Sequence, residues 1–213
     1  STRWIQWIRA NASFEYHNAT VARIVPDHGQ HNTSSLVELT LEPHLQTAAQ
    51  SGIVLCRIQL FHEGSVQDDW YISAQHTTSD VVRCLMPPVQ HAMHAVVEVA
   101  LNGQQFTSSG VRFAYTPALQ SISPDFGPAS GGTMLEVQGT GFIESDDQFC
   151  RLLNVSHSID ILVPALSSNV STKAWCLVPS EQRFAPGMVL AVSVTSDLCP
   201  DFSYGGSFNA SVV

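Results

Sequence analysis

The feature that most limits how this chain can fold is a repeat about one hundred residues long. Phe14-Glu15-Tyr16 followed by Ile24-Val25-Pro26 recurs as Phe113-Ala114-Tyr115 followed by Ile122-Ser123-Pro124, at offsets of 99 and 98 residues. Cys84-Leu85-Met86-Pro87 recurs as Cys176-Leu177-Val178-Pro179. An alternating run precedes each Cys-x-x-Pro (Asp80–Cys84, Thr172–Cys176), and another follows each (His94–Ala100, Met188–Thr195). The same order of signals twice over implies two tandem units, 20–117 and 118–213, each with its own core. Residues 1–19 end in the Phe-x-Tyr that closes a unit, so they read as the last strand of an upstream copy. A strand pairing within the first unit is the alternative.

The local pattern is β almost throughout. Ser35–Leu41 and Thr133–Gln138 alternate apolar and polar residues with period two, as half-buried strands do. Ile53–Phe61 is a longer strand between Gly52 and Gly64, and Asn102-Gly103, Ser130-Gly131-Gly132 and Pro186-Gly187 mark turns. Helical spacing is confined to about one turn near Leu45–Gln50. Cys56 and Cys84 lie 28 residues apart and Cys150 and Cys176 lie 26 apart, which reads as one disulfide per unit. Cys199 is left over. No Cys-x-x-Cys or zinc-type spacing occurs. Short strands, frequent turns and one disulfide per hundred residues imply an all-β fold of tandem antiparallel sandwiches. The joint between them, Thr116 to Ser121, is short and stiffened by Pro117, which implies a fixed relative orientation.

Charge and asparagine usage indicate the compartment. Of nine basic residues only Lys173 is a lysine, and the net charge of −9 leaves no cationic cluster to release counterions from nucleic acid or an anionic membrane. The excess of acids is spread over both units, so it reads as solubility charge. Six of the seven asparagines begin an Asn-x-Ser/Thr sequon: Asn11, Asn18, Asn32, Asn154, Asn169 and Asn209. That density predicts a glycosylated chain in the secretory pathway, at the cell surface or outside the cell, consistent with disulfides. The N-terminus lacks the basic-then-apolar order of a signal peptide, so the chain reads as mature or excised.

In the second unit, Ile122-Ser-Pro-Asp-Phe-Gly-Pro-Ala-Ser-Gly-Gly-Thr133, then Leu135-Glu-Val-Gln-Gly139 and Gly141-Phe142, resembles the opening of an IPT/TIG domain. Cys150, Cys176–Pro179 and the closing aromatic strand agree, so the resemblance covers 118–213. The resemblance implies immunoglobulin-like, E-set-type sandwiches, modules that occur in plexins, the hepatocyte growth factor receptor group, some secreted enzymes and some transcription factors. They also look like modules in gamete-adhesion ectodomains. The first unit keeps Cys84–Pro88 and Phe113-Ala-Tyr115 but has Pro26-Asp-His-Gly29 and Ser34-Ser35 in place of the glycine-rich opening, so it reads as a diverged copy. The glycines themselves predict a turn at Gly127-Pro128, positive φ at Gly131 and Gly132, and a bend at Gly139–Gly141 that aims Phe142 into the core.

Catalytic patterns are missing from the sequence. There is no Gly-x-Ser-x-Gly, no His-Glu-x-x-His, and no Lys-Ser/Thr after the glycines. His28-x-x-His31 and His91-x-x-His94 lie outside helical segments, so surface histidines are the ordinary reading and a metal pair the alternative. Glu144-Ser-Asp-Asp147 and Asp68-Asp69 read as solvated acidic stretches, the former also compatible with Ca²⁺. Trp175 faces the opposite side of its strand from Cys176; Trp4, Trp7 and Trp70 are core residues or interface anchors. The expectation is a non-enzymatic ectodomain fragment without cofactor or metal. Its modules would meet a protein partner on another cell or within the same ectodomain, in adhesion (gamete recognition included) or in signalling. The alternative is an accessory module of a secreted enzyme that holds polysaccharide on an exposed Trp70 or Trp175.

Overall fold

The computed structural model describes residues 19–42, 53–62, 65–78, 80–143, 148–167, 172–181, 184–196 and 208–212. The tail ending at Phe14-Glu-Tyr16, the Leu45–Gln50 turn, the Glu144–Asp147 loop, Cys199 and the closing aromatic pair expected at Phe202-Ser-Tyr204 lie outside them.

Alternation of apolar residues places two sheets face to face in the first half of the chain. One sheet holds β1 (Thr20–Val25), β3 (Ser35–Glu42), β7 (Val81–Met86) and β6 (His76–Thr77), in that order. The other runs β2 (His28–Gln30), β9 (Val111–Thr116), β8 (Met93–Ala100), β4 (Leu55–His62) and β5 (Ser65–Ser73). Val37, Leu39 and Leu41 of β3 meet Ile58 and Leu60 of β4, with Val82 and Met86 of β7 and Phe113 and Tyr115 of β9, all at most 2% exposed. A buried tyrosine needs a partner for its hydroxyl, and Tyr115 donates to the Pro87 carbonyl at 2.8 Å. Burial raises its pKa.

The second half repeats the plan. Its strands are β10 (Ala118–Ser123), β11 (Phe126–Gly127), β12 (Met134–Thr140), β13 (Gln148–Asn154), β14 (Ile159–Ser167), β15 (Lys173–Leu177), β16 (Val189–Ser196) and β17 (Phe208–Val212). They form one continuous sheet, ordered β10-β12-β15-β14-β13-β16-β17-β11, folded onto itself. The fold occurs in β14, whose first six residues pair with β13 and whose last three, Ala165–Ser167, pair with β15. Pro164 sits at the changeover, where its missing N–H ends one ladder. In the first half the same job is split between β5 and β6. Leu135, Val137, Leu152, Ala174, Leu190, Val192 and Val194 fill the second core, and Phe142 closes it at 1% exposure.

Several local features occur at matching places in the two halves. β1 bulges against β3 between Val21 and Arg23, and β10 bulges against β12 between Leu119 and Ser121, 98 residues on. Both Ile-x-Pro prolines, Pro26 and Pro124, follow cis peptide bonds. Each half also contains one short parallel pairing, β2 with β9 and β11 with β17. The chain turns after Gly127-Pro128 as expected, with the Gly131 amide donating to the Pro128 carbonyl at 3.0 Å, and Phe126–Gly127 also forms the short strand β11. The first half lacks the glycine-rich opening and still forms the corresponding strand, β2, because Gly29 survives. A Cβ on Gly29 would lie 2.3 Å from Ser35 Oγ, and one on Gly127 would lie 2.3 Å from Thr133 Oγ1. Disulfides Cys56–Cys84 and Cys150–Cys176 tie β4 to β7 and β13 to β15 through the two cores, each with Cα atoms 6.1 Å apart.

Candidate functional site

The outward face of the β2-β9-β8-β4-β5 sheet carries side chains that an ordinary solvated face does not need. Register places Arg57 of β4 opposite Tyr71 of β5 and Gln59 opposite Asp69, so these groups share a face. The Arg57 guanidinium grips the Asp69 carboxylate in a fork, with Nε at 2.9 and 3.1 Å and Nη2 at 2.6 Å. It also lies over two rings, 5.8 Å from the Tyr71 centroid and 6.0 Å from that of Phe106. Tyr71 meets Phe106 edge to face at 5.5 Å, and its hydroxyl donates to Asp69 at 3.3 Å. The hydrogen bond to Asp69 raises the Arg57 pKa, and the same bond holds the Asp69 carboxyl below its ordinary range. Tyr71 nonetheless stays 55% exposed.

Phe106 reaches this cluster on a loop, Leu101–Gly110, that doubles back over the sheet. Asn102 Oδ1 accepts from the Gln104 and Gln105 amides at 3.0 Å, and Phe106 bridges back to Ala100. Glu98, 6% exposed, holds the loop's far end. Its carboxylate accepts from the Gly110 amide at 2.6 Å, the Ser109 amide at 3.1 Å and the Thr107 hydroxyl. Further along the same face His94 stacks on Phe61, with centroids 5.2 Å apart. Burial, and then Arg112, lower the His94 pKa.

A second cluster marks the outward face of β12 and β15. Met134 lies opposite Leu177 and Glu136 opposite Trp175, and Trp175 pairs in turn with Leu166 of β14. Met134, Leu166 and Leu177 are 45%, 63% and 51% exposed. Glu136 accepts from Lys173 Nζ at 2.6 Å and from Gln138 Nε2 at 2.8 Å. Those bonds, with Lys173 first, hold its pKa below the ordinary value, and Trp175 adds a weaker hydrogen bond. At the matching register in the first half, Glu38 pairs with Arg83.

The residues singled out in the sequence are scattered relative to these clusters. Asn32 is exposed in the turn after β2. Asn154 caps a one-turn 3₁₀ helix, Val155–His157; its Oδ1 accepts from the His157 amide at 2.9 Å and its Nδ2 donates to the Val189 carbonyl at 2.8 Å. Asn209 lies in β17, whereas Asn11, Asn18, Asn169, Trp4 and Trp7 fall outside the described residues. The histidine reading needs correction. His31 is not a surface group but is 5% exposed, and His94 is half-buried. His28 stays partly exposed, 2.7 Å from Asp27, and His91 is exposed. No group of three or more His, Cys, Asp or Glu side chains among the described residues is placed to hold a metal. Trp70 is half-buried against the first core, and Trp175 is half-buried too. Sequence reasoning missed the Arg57–Tyr71–Phe106 cluster because its members span 49 residues and share no motif. The one available signal was period two, which puts Arg57 and Gln59 on the side of β4 away from Cys56 and Ile58.

Residues 117–208 match the IPT/TIG domain family. Fibrocystin of Canis lupus familiaris is 28% identical over 116 residues, which is 54% of this chain but 3% of that protein. A structure of the plexin A4 full extracellular region aligns with 92% of this chain and 16% of its own, at 15% identity and a TM-score of 0.34. A second plexin A4 structure, with domains 1 to 8, aligns with 92% of this chain and 27% of its own, at 12% identity and a TM-score of 0.35. Scores of that size do not establish a shared arrangement. No helix among the described residues is long and apolar enough to cross a membrane.

Proposed function

Because residues 117–208 are an IPT/TIG domain, we propose that this chain is a non-enzymatic part of an extracellular receptor-type glycoprotein. In this reading 20–117 is a diverged copy of the same module, supported by the bulges and by the Gly29–Ser35 and Gly127–Thr133 contacts at one offset. The modules act in cell–cell recognition through protein–protein contacts. The observation that carries the reading is the Arg57–Asp69–Tyr71–Phe106 cluster. Tyrosine and arginine dominate interface hot spots, and here the ion pair and ring contacts hold them in place before any partner arrives. The polysaccharide-holding alternative calls for an exposed aromatic plate, and the half-burial of Trp70 and Trp175 supports it less well. The six sequons, Asn32 foremost because it is exposed, would carry the glycans of such a surface.

Fluorescent tetramers of the chain on live cells provide the test. Staining that trypsin treatment of the cells abolishes, and that an Arg57→Ala/Tyr71→Ala variant loses, supports a protein counter-receptor at this face. Equal staining by wild type and variant, or staining that survives trypsin, counts against it.

A further inference from the structure

We infer that the first sandwich carries, around His31, a dedicated docking site for the IPT/TIG module that follows it, so that the two move as one body. The inference goes beyond the proposed function and rests on contacts within the chain alone. β9 ends at Thr116 and β10 begins at Ala118, so the covalent link is the single residue Pro117, which is itself buried. A one-residue proline link limits the swing of the modules, but an apposed surface is what selects one orientation.

That surface is built on His31, and every hydrogen-bonding group of this residue is engaged. Its amide donates to the Thr116 carbonyl at 2.9 Å, and its carbonyl accepts from the Val89 amide at 2.6 Å. The ring spans the joint, with Nδ1 3.1 Å from the Val89 carbonyl on one side and Nε2 3.0 Å from Thr140 Oγ1 on the other. A carbonyl only accepts, so Nδ1 carries the hydrogen, and in the neutral ring Nε2 accepts from the Thr140 hydroxyl. A second link is backbone to backbone: the amide of Ala92, a residue 2% exposed, donates to the Gly141 carbonyl at 2.9 Å.

Gly141 completes the fit. Its φ is +79°, and a Cβ there would lie 2.4 Å from His31 Cδ2 and 2.5 Å from Nε2. The ring of one module therefore fills the space that a side chain on the other would take. The bend at Gly139–Gly141, which aims Phe142 into its own core, also offers Thr140 Oγ1 and the Gly141 carbonyl to the neighbour. The partner recognised is a module with a hydroxyl residue followed by glycine at the end of this strand.

The test uses the whole chain. Nitrogen-15 NMR of wild type should show His31 in the less common Nδ1–H tautomer, and Thr140→Val should shift Nε2 without moving Nδ1. Hydrogen exchange should find the Ala92 amide protected in wild type, with protection falling about tenfold in Gly141→Ala and in His31→Ala. Val97 and Val192, deep in the two cores, should be unaffected. Small-angle scattering should fit one arrangement for wild type and require a broadened ensemble for Gly141→Ala. Removing the ring makes room for the methyl, so Gly141→Ala should lower the melting temperature less in a His31→Ala background than alone. An Ala92 amide that exchanges like an exposed loop in wild type, or an equal effect of Gly141→Ala in both backgrounds, overturns the docking site. Cell staining reads the Arg57 face, so failure there leaves this result standing.

Discussion

Glu98→Gln is the substitution whose outcome the structure constrains most tightly. The carboxylate is acceptor-only and faces three donors: the amides of Gly110 and Ser109 and the hydroxyl of Thr107. A glutamine matches it in size but turns one acceptor oxygen into a donor NH₂. With that nitrogen toward Gly110, the Gly110 amide loses its partner; with it toward Ser109, the Ser109 amide does. Either way one part-buried N–H loses its partner, at about 1–3 kcal/mol, and the surviving bond falls from charge-assisted to neutral, about 1 kcal/mol more. The expected loss is therefore about 2–4 kcal/mol, read as a fall in the urea midpoint at unchanged slope. The effect should spread in a defined direction. Ser109 Oγ accepts from the Val21 amide at 2.7 Å, so exchange should rise at Gly110, Ser109 and Val21 together. The loosened loop carries Phe106, so the cluster at Arg57 should lose its edge-to-face contact as well. A Glu98→Gln variant within about 0.5 kcal/mol of wild type, with Gly110 still protected, would falsify the account of how this loop is held.

Replacing Cys56 and Cys84 together by alanine frees a 28-residue loop and should cost about 3.6 kcal/mol in the chain-entropy model. The Cys150 and Cys176 pair closes 26 residues and should cost about 3.5 kcal/mol. Calorimetry should assign the two losses to different sandwiches, and a loss shared equally would contradict separate cores. His94 titrates below its ordinary 6.5 when folded, so the unfolded chain takes up a proton first as pH falls. Its contribution is thus complete above that value and lost below it. Asp69 and Asp160, held below 3.8 by Arg57 and Arg151, and Glu136, held below 4.5 by Lys173, should add a second decline at lower pH. Denaturation midpoints measured between pH 7.5 and 3 should show both steps, and His94→Phe should remove only the upper one. Glycopeptide mapping of secreted chain should find a glycan on Asn32 that Asn32→Gln deletes. Asn154→Ala should cost about 1 kcal/mol through the lost cap, whatever its glycan state.

The repeat in the sequence reached much of the architecture because it is written in residues with only one good place to go. Cys56, Cys84, Cys150 and Cys176 belong in a core, Phe142 needs a large pocket, and Gly131 and Gly132 have φ of 74° and 84°. Short elements were less legible. β2 and β11 contain three and two residues, too few for a period, and they exist because Gly29 and Gly127 let the chain pass close to Ser35 and Thr133. His31 was misread for a related reason. Its burial comes from Thr140 and Gly141, 109 and 110 residues away, and a histidine in a turn gives no local sign of a distant partner. The Arg57 cluster was hidden in the same way, since Phe106 reaches it only through an arch that Glu98 anchors from beneath.

The short parallel pairings have a mechanical consequence. β2 follows the entering strand β1, β9 leaves the sandwich, and β2 and β9 run side by side in the same direction with His28, Gly29 and Gln30 opposite Ala114, Tyr115 and Thr116. β11 and β17 repeat the arrangement at Phe126 and Gly127 opposite Ser211 and Val212. When tension is applied to the two ends of the chain, β2 and β11 are pulled backward through β1 and β10, and the leaving strands are pulled forward along a common axis. The hydrogen bonds between them are then sheared together instead of being peeled open one after another. Once β1 and β10 have peeled from β3 and β12, a chain held at both ends would resist extension at these few bonds, which lie at the sheet edges.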